Sequence, residues 1–326
     1  MAPCLDDENA ALLALLESAK QGAWSDLANE CLVEGSALQV LGRRIGSAAD
    51  VRSMSGMEQG VLFDMEYAGE SVKLTQSWRR ASRQLERWHA EGLDFVSIFD
   101  DRFPSQLRSV VDVPPFLFVK GTLLSDDMGV SVVGSRKCSP DGAAFARGVA
   151  GLLCERGLTV IAGLAEGIDA CAHREALRAG GRTVAFIGTG INRCYPPSNR
   201  RLQQAIEERG VVLSPFWPDS PPSKRSFPLR NALISGYGLA TVIVEASEYS
   251  GTRVLARRAQ WQGHPLIFRD RVLEQTEWAR EYQGKPGAFV VRSVDDVGLA
   301  LDAISAIDSD VDGMLGNMIE MRTRNL

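Results

Sequence analysis

The chain has 326 residues, room for roughly two domains at about 150 residues each. A hydrophobic content of 45% supplies a sizeable core, and six cysteines without a CxxC pair argue against a metal or redox motif built on such pairs. The net charge of -5 taken whole argues against nucleic acid, but residues 1–129 carry 12 Lys+Arg against 20 Asp+Glu, residues 130–275 carry 19 against 12, and residues 276–326 carry 5 against 9. A middle segment at +7 between acidic ends is the electrostatic footprint of a polyanionic partner.

The longest early apolar run, Ala10 to Leu16, is well short of the about 20 residues a membrane helix needs. It comes after Asp6, Asp7 and Glu8, the wrong charge for a secretory leader. A cytoplasmic protein without disulfides or membrane partners is therefore expected.

Leu12, Leu13, Leu15 and Leu16, then Leu27, Cys31 and Leu32, then Leu38, Val40 and Leu41 predict two or three short helices over residues 9–45, punctuated by Gly22, Gly35 and Gly46. A longer helix is predicted from about Ser71 to Ala90, with Leu74, Trp78, Leu85 and Trp88 on one side; Arg79, Arg80, Arg83 and Arg87 lie on the same helix and are expected on a solvated face, contact with phosphates being the other arrangement. Residues 1–90 thus read as a small helical domain. Phe95–Phe99 predicts a strand, Pro104 opens a short helix, Pro114-Pro115 stops it, and Phe116–Val119 forms a second strand at one side of the main sheet.

From Gly129 the pattern alternates. Val130, Val132 and Val133 form an apolar run of the kind a parallel strand buried on both faces requires. Strands are predicted at 130–133, 158–161, 183–187, 211–213, 241–244, 265–268 and 288–291, with helices between most of them. That order means a doubly wound, mostly parallel α/β sheet over residues 91–300. Residues 301–326 remain as a tail or docking helix built on Ile307, Met314, Leu315, Met318 and Ile319, and Asp308, Asp310 and Asp312 lack the later Glu that a calcium loop needs.

In such a sheet the loops after the strands carry the ligand. They are Gly134-Ser135-Arg136 with Lys137; Gly163 to Gly167, leading to Asp169 and His173; Gly188-Thr189-Gly190, then Tyr195, Pro196 and Asn199; Phe227 with Arg230 and Asn231; and Glu245 with Ser250, Gly251, Thr252 and Arg253. None matches the GxGxxG or P-loop pattern. As a set they gather glycines, hydroxyls and arginines at one rim. Arg136 and Lys137 are expected at a helix N-terminus facing a phosphate, with Phe227 and Tyr195 as stacking rings. Asp169 and His173 are expected to cap or orient their loop, an acid–base pair being the other arrangement their spacing allows. Without a nucleophile–base pair, no enzyme and no cofactor are predicted.

The pieces FPSQLRSVVDVPPFLFVKG, VVGSR, GLAEGIDACAHREAL, GGRTVAFIGTGINRCYPPSN, FPLRNALISG and VIVEASEYSGT, in that order, resemble the DprA/Smf family of bacterial DNA-processing proteins over about residues 95–268. The resemblance implies an extended Rossmann-like fold and a homodimer. It also implies single-stranded DNA as ligand and a RecA-type recombinase as partner, which the protein loads during natural transformation. Three departures stand out. Ala232 replaces the family's usual second arginine, Arg253 sits where it restores a charge, and Phe268-Arg269-Asp270-Arg271 replaces a PG-containing loop. The family's usual C-terminal winged helix needs about 60 residues, more than the stretch after residue 300 offers. Two further readings remain beside this one. One is a nucleotide-binding sensor or nucleotide N-glycosidase of the same superfamily, with Glu245 on a ribose. The other is a protein–protein adaptor with a vestigial pocket.

Overall fold

The computed structural model describes residues 4–45, 68–108 and 110–307. The segment holding Met314, Leu315, Met318 and Ile319, expected as a docking helix, lies outside them. In chain order the helices are α1 (Leu5–Ser18), α2 (Trp24–Glu34), α3 (Ala37–Ile45), α4 (Ala68–Ala90), α5 (Ser105–Arg108), α6 (Pro140–Glu155), α7 (Ile168–Arg178), α8 (Arg200–Arg209), α9 (Ser226–Tyr237), α10 (Gly251–Trp261), α11 (Asp270–Gln275) and α12 (Glu277–Arg280). The strands are β1 (Asp94–Ser97), β2 (Phe116–Gly121), β3 (Gly129–Gly134), β4 (Thr159–Ala162), β5 (Thr183–Phe186), β6 (Val211–Ser214), β7 (Thr241–Glu245), β8 (Leu266–Arg269) and β9 (Ala288–Val291). A last helix covers residues 294–307. The predicted α/β class and mostly parallel sheet are what the chain adopts, with strand ends within two residues of expectation.

By packing, the chain divides into two units. The first comprises Met1–Asp127, Thr189–Arg193 and Val211–Pro221. Its helices arise from the leucine-rich stripe: Ala10 to Leu16 of α1 are all buried. Glu8, also buried, accepts from Ser36 Oγ at 2.6 Å and from the Ala37 and Leu38 amides at 2.7 and 3.2 Å, so one carboxylate caps the start of α3. β1 and β6 each pair antiparallel with β2. Phe116 of β2 stacks at 4.8 Å on Trp217, and Trp88 of α4 meets Phe118 edge-on at 4.9 Å.

The second unit comprises Met128–Gly188, Cys194–Gly210 and Pro222–Leu326. Its six strands lie in the order β5-β4-β3-β7-β8-β9, all parallel. Val130, Val132, Val160, Val242 and Ile267 form the sheet core, against which α6 packs Val149 and Leu153 and the last helix packs Val297, Leu301 and Ile304. The order runs backward from β5 to β3 and then jumps to β7. That jump is the topological switch point, where the loops leaving β3 and β7 part and open a crevice. No helix among the described residues is long and apolar enough to cross a membrane.

Candidate functional site

The crevice at the β3/β7 switch point is a cleft of about 550 Å³. It brings together Gly134, Ser135, Arg136 and Lys137 from the β3 loop, Arg230 and Asn231 from α9, and Ser250, Gly251 and Thr252 from the start of α10. Ile234, Ser247 and Leu255 also line it, the first two from within the FPLRNALISG and VIVEASEYSGT pieces. A smaller adjoining recess holds Gly163, Gly188, Tyr195, Phe227 and Arg230 beside Arg136.

Arg230 is the centre of this site. The residue is buried, at 5% exposure. Its Nη1 donates to the carbonyls of Gly163 and Phe186, the latter at 2.8 Å. Its Nε has no partner, and no ion pair among the described residues includes it. Burial lowers its pKa to about 10, against the pull of Asp169. It remains a cation at neutral pH, held by neutral carbonyls and not cancelled by a contacting carboxylate.

Two expected ligand-facing glycines serve this arrangement. A Cβ on Gly163 would stand 2.0 Å from Arg230 Nη1, and a Cβ on Gly188 would stand 2.8 Å from the Phe227 ring. They make room for the arginine and the ring that face the cleft. Gly167 lies behind the first loop, at φ +76 with the Ser135 and Arg136 carbonyls against it, so only glycine fits there without strain. Phe227, Arg230 and Asn231 are spaced i, i+3, i+4 and share a face of α9. The Phe227 ring has Arg136 at 5.3 Å, Arg230 at 5.8 Å and Tyr195 at 5.8 Å.

Asp169 orients its loop, as expected: its Oδ2 accepts from the Gly163 and Ala165 amides at 3.0 and 3.3 Å. Burial raises its pKa, and Arg230 opposes the rise. His173 makes no acid–base pair with it. Thr183 Oγ1 donates to the Val160 carbonyl at 2.8 Å, so it accepts from His173 Nδ1 at 2.7 Å, which fixes the tautomer with the proton on Nδ1. Burial lowers the His173 pKa to about 3, and the ring is neutral.

Several expectations need correction. Arg136 and Lys137 do not sit at the N-terminus of α6, which begins at Pro140 with Ser139 as its cap. Ser139 Oγ accepts from the Gly142 amide at 2.9 Å and donates to Glu245 Oε2 at 2.6 Å, while Glu245 also receives the Ser139 amide. That helix end is therefore already satisfied, and Glu245 closes it from 106 residues away. The start of α10 is uncapped: Ser250 makes no side-chain cap bond and its Oγ has no partner. Thr189 and Gly190 line neither recess. Both are buried in the first unit, with the Gly190 amide donating to Ser220 at 2.9 Å. Arg253 lies outside the cleft lining. In the departing segment at the end of β8, Arg269 and Arg271 both pair with Asp141, at 2.7 and 2.5 Å, and Arg269 lies 4.5 Å over Phe145.

A doubly wound sheet with a buried arginine, an uncapped helix N-terminus and an aromatic ring beside its switch point has the extended Rossmann-like architecture. The family model described as DNA recombination-mediator protein A matches residues 94–302, and the chain belongs to that family. DNA processing protein DprA of Streptococcus pneumoniae is 39% identical over 204 residues, 62% of this chain and 72% of that one. DprA of Bacillus subtilis is 32% identical over 197 residues, 60% and 66% of the two chains, and protein Smf of Escherichia coli is 40% identical over 167 residues, 51% and 45%. The match thus spans under half of the Escherichia coli protein. Among solved structures, DprA from Streptococcus pneumoniae superposes with TM-score 0.63 at 29% identity, over 90% of this chain and 97% of that one. DprA from Helicobacter pylori, solved for its single-stranded DNA binding mode, shares the fold, with TM-score 0.57 at 24% identity over 67% and 97%.

Proposed function

We propose that this chain binds single-stranded DNA in the β3/β7 cleft and passes it to a RecA-type recombinase, as a cytoplasmic homodimer serving DNA uptake or recombination. The observation that carries the reading is Arg230, a buried cation without a contacting acid, opening on the same cleft as the uncapped start of α10. A phosphate there receives charge from Arg230 and the more exposed Arg136 and Lys137, with Ser250 Oγ as a further hydrogen-bond partner. A base unstacked from its neighbour lies on Phe227, beside Tyr195, the combination of basic groove and ring that single-strand binders use. The partner, the dimer and the setting rest on family membership and on the motif resemblance. Binding, not bond cleavage, is the proposed activity.

The nucleotide N-glycosidase reading is weakened because Glu245, its carboxylate for a ribose, is engaged by Ser139. Titration of labelled oligo-dT by fluorescence anisotropy across a salt series tests the proposal, with deoxymononucleotides as competitors. Binding whose logarithm falls linearly with log salt is expected. A flat salt response, or full competition by a mononucleotide at equal concentration, overturns it. Filament assembly of RecA on coated single strands, faster with the protein present, tests the partner separately.

A further inference from the structure

The first unit carries a charged feature that the cleft does not use. Arg79, Arg80, Arg83 and Arg87 of α4 are all exposed. Arg79, Arg83 and Arg87 recur at i, i+4 and i+8, so they form one stripe with a rise of about 6 Å per step. The buried side chains of the same helix, Ser77, Ala81 and Trp88, lie on the opposite face and fix its rotation.

These cations differ from their neighbours. Arg43 pairs with Glu34, Arg44 with Glu30, and Arg102 with Asp94 and Asp100. No ion pair among the described residues involves the four arginines of α4. Arg80 donates to Ser77 Oγ at 2.9 Å and Arg87 to the Arg83 carbonyl at 3.3 Å, contacts that orient a guanidinium and leave its charge uncancelled. This happens in a segment, residues 1–129, with eight more acids than bases.

We propose that the α4 arginine stripe is a second contact for the phosphodiester backbone, separate from the cleft; in its choice of ligand it rests on the single-stranded DNA reading above. A line of monovalent cations on a rigid helix matches a line of monoanions. Arginine forks onto phosphate oxygens, and the sequence-independent charge term sets the affinity.

The test uses the full chain, a long labelled oligo-dT, and the triple variant Arg79→Gln/Arg83→Gln/Arg87→Gln. Three lost contacts make the slope of log affinity against log salt shallower by about 2, equivalent to about 50-fold weaker binding at about 0.15 M salt. A Lys triple at the same positions keeps most of the slope, and an unchanged circular-dichroism melt shows that the helix stands. A Gln triple with wild-type slope and affinity overturns the proposal, whether the stripe is merely solvated or meets an acidic protein. If the Gln triple weakens binding while Arg136→Ala does not, the stripe stands and the cleft reading falls; the converse leaves the cleft alone. No binding by the wild type overturns both.

Discussion

Gly163→Ala perturbs the site through one methyl group. The new Cβ would stand 2.0 Å from Arg230 Nη1 and 2.5 Å from its Cζ, so the guanidinium must leave its seat. Gly163 is not among the positive-φ glycines, so alanine adds no backbone strain of its own. Leaving the seat breaks the bonds to the Gly163 and Phe186 carbonyls, one of them at 2.8 Å. Charged hydrogen bonds are each worth about 1.5–3 kcal/mol, so losing both costs at least about 3 kcal/mol. Urea unfolding measures it. Arg230→Met removes the colliding guanidinium, and in that background Gly163→Ala should cost under about 1 kcal/mol, a coupling of roughly 2 kcal/mol between adjacent residues. Oligo-dT affinity falls in both single variants. Additive losses of stability would refute the idea that Gly163 exists to seat Arg230.

The remaining predictions concern neighbouring side chains. Between pH 7 and 5 the unfolded chain takes up a proton at His173 and the folded chain, with its pKa of about 3, does not. Stability therefore falls on acidification, by about 2 kcal/mol from this group. Asp169, raised by burial, acts in the opposite direction, so the readout is the flatter pH dependence of His173→Gln relative to wild type in urea melts; equal slopes would contradict the buried neutral ring. Ser139→Ala removes the α6 cap and the Glu245 contact and should lower stability by about 1 kcal/mol in the same assay. Phe227→Ala should weaken oligo-dT binding by about 1–3 kcal/mol, roughly 5- to 150-fold in an anisotropy titration, as expected for one lost stacking platform.

The strands of the second unit were legible because fully buried parallel strands are written as apolar runs, as at Val130–Val133, and because glycine turns mark their ends. The rim was legible in outline, since topology alone sends the β3 and β7 loops to one crevice. Three features escaped for physical reasons. Gly188-Thr189-Gly190 looks like a ligand loop, but Gly190 is packed against the Trp217 and Pro218 carbonyls. The end of α6 is closed by Glu245, a partner that sequence spacing cannot pair with Ser139. The direction of Arg253 depends on the phase of α10, which became known only once the buried positions Thr252, Leu255 and Ala256 were placed. Glycines such as Gly163 are ambiguous in sequence, because making room for a ligand and making room for a side chain leave the same mark.

The central claim is that DNA lies on the Gly134–Lys137 loop beside Arg230. Anisotropy titration of labelled oligo-dT with wild type and Arg136→Ala, each at two salt concentrations, tests it most directly. Arg136 is exposed, so its loss should leave the fold intact. The account predicts salt-sensitive binding by the wild type and an affinity about fourfold lower in the variant at about 0.15 M salt, with the slope against log salt reduced by about 0.7. Equal affinities and equal slopes would place the DNA elsewhere and contradict the account.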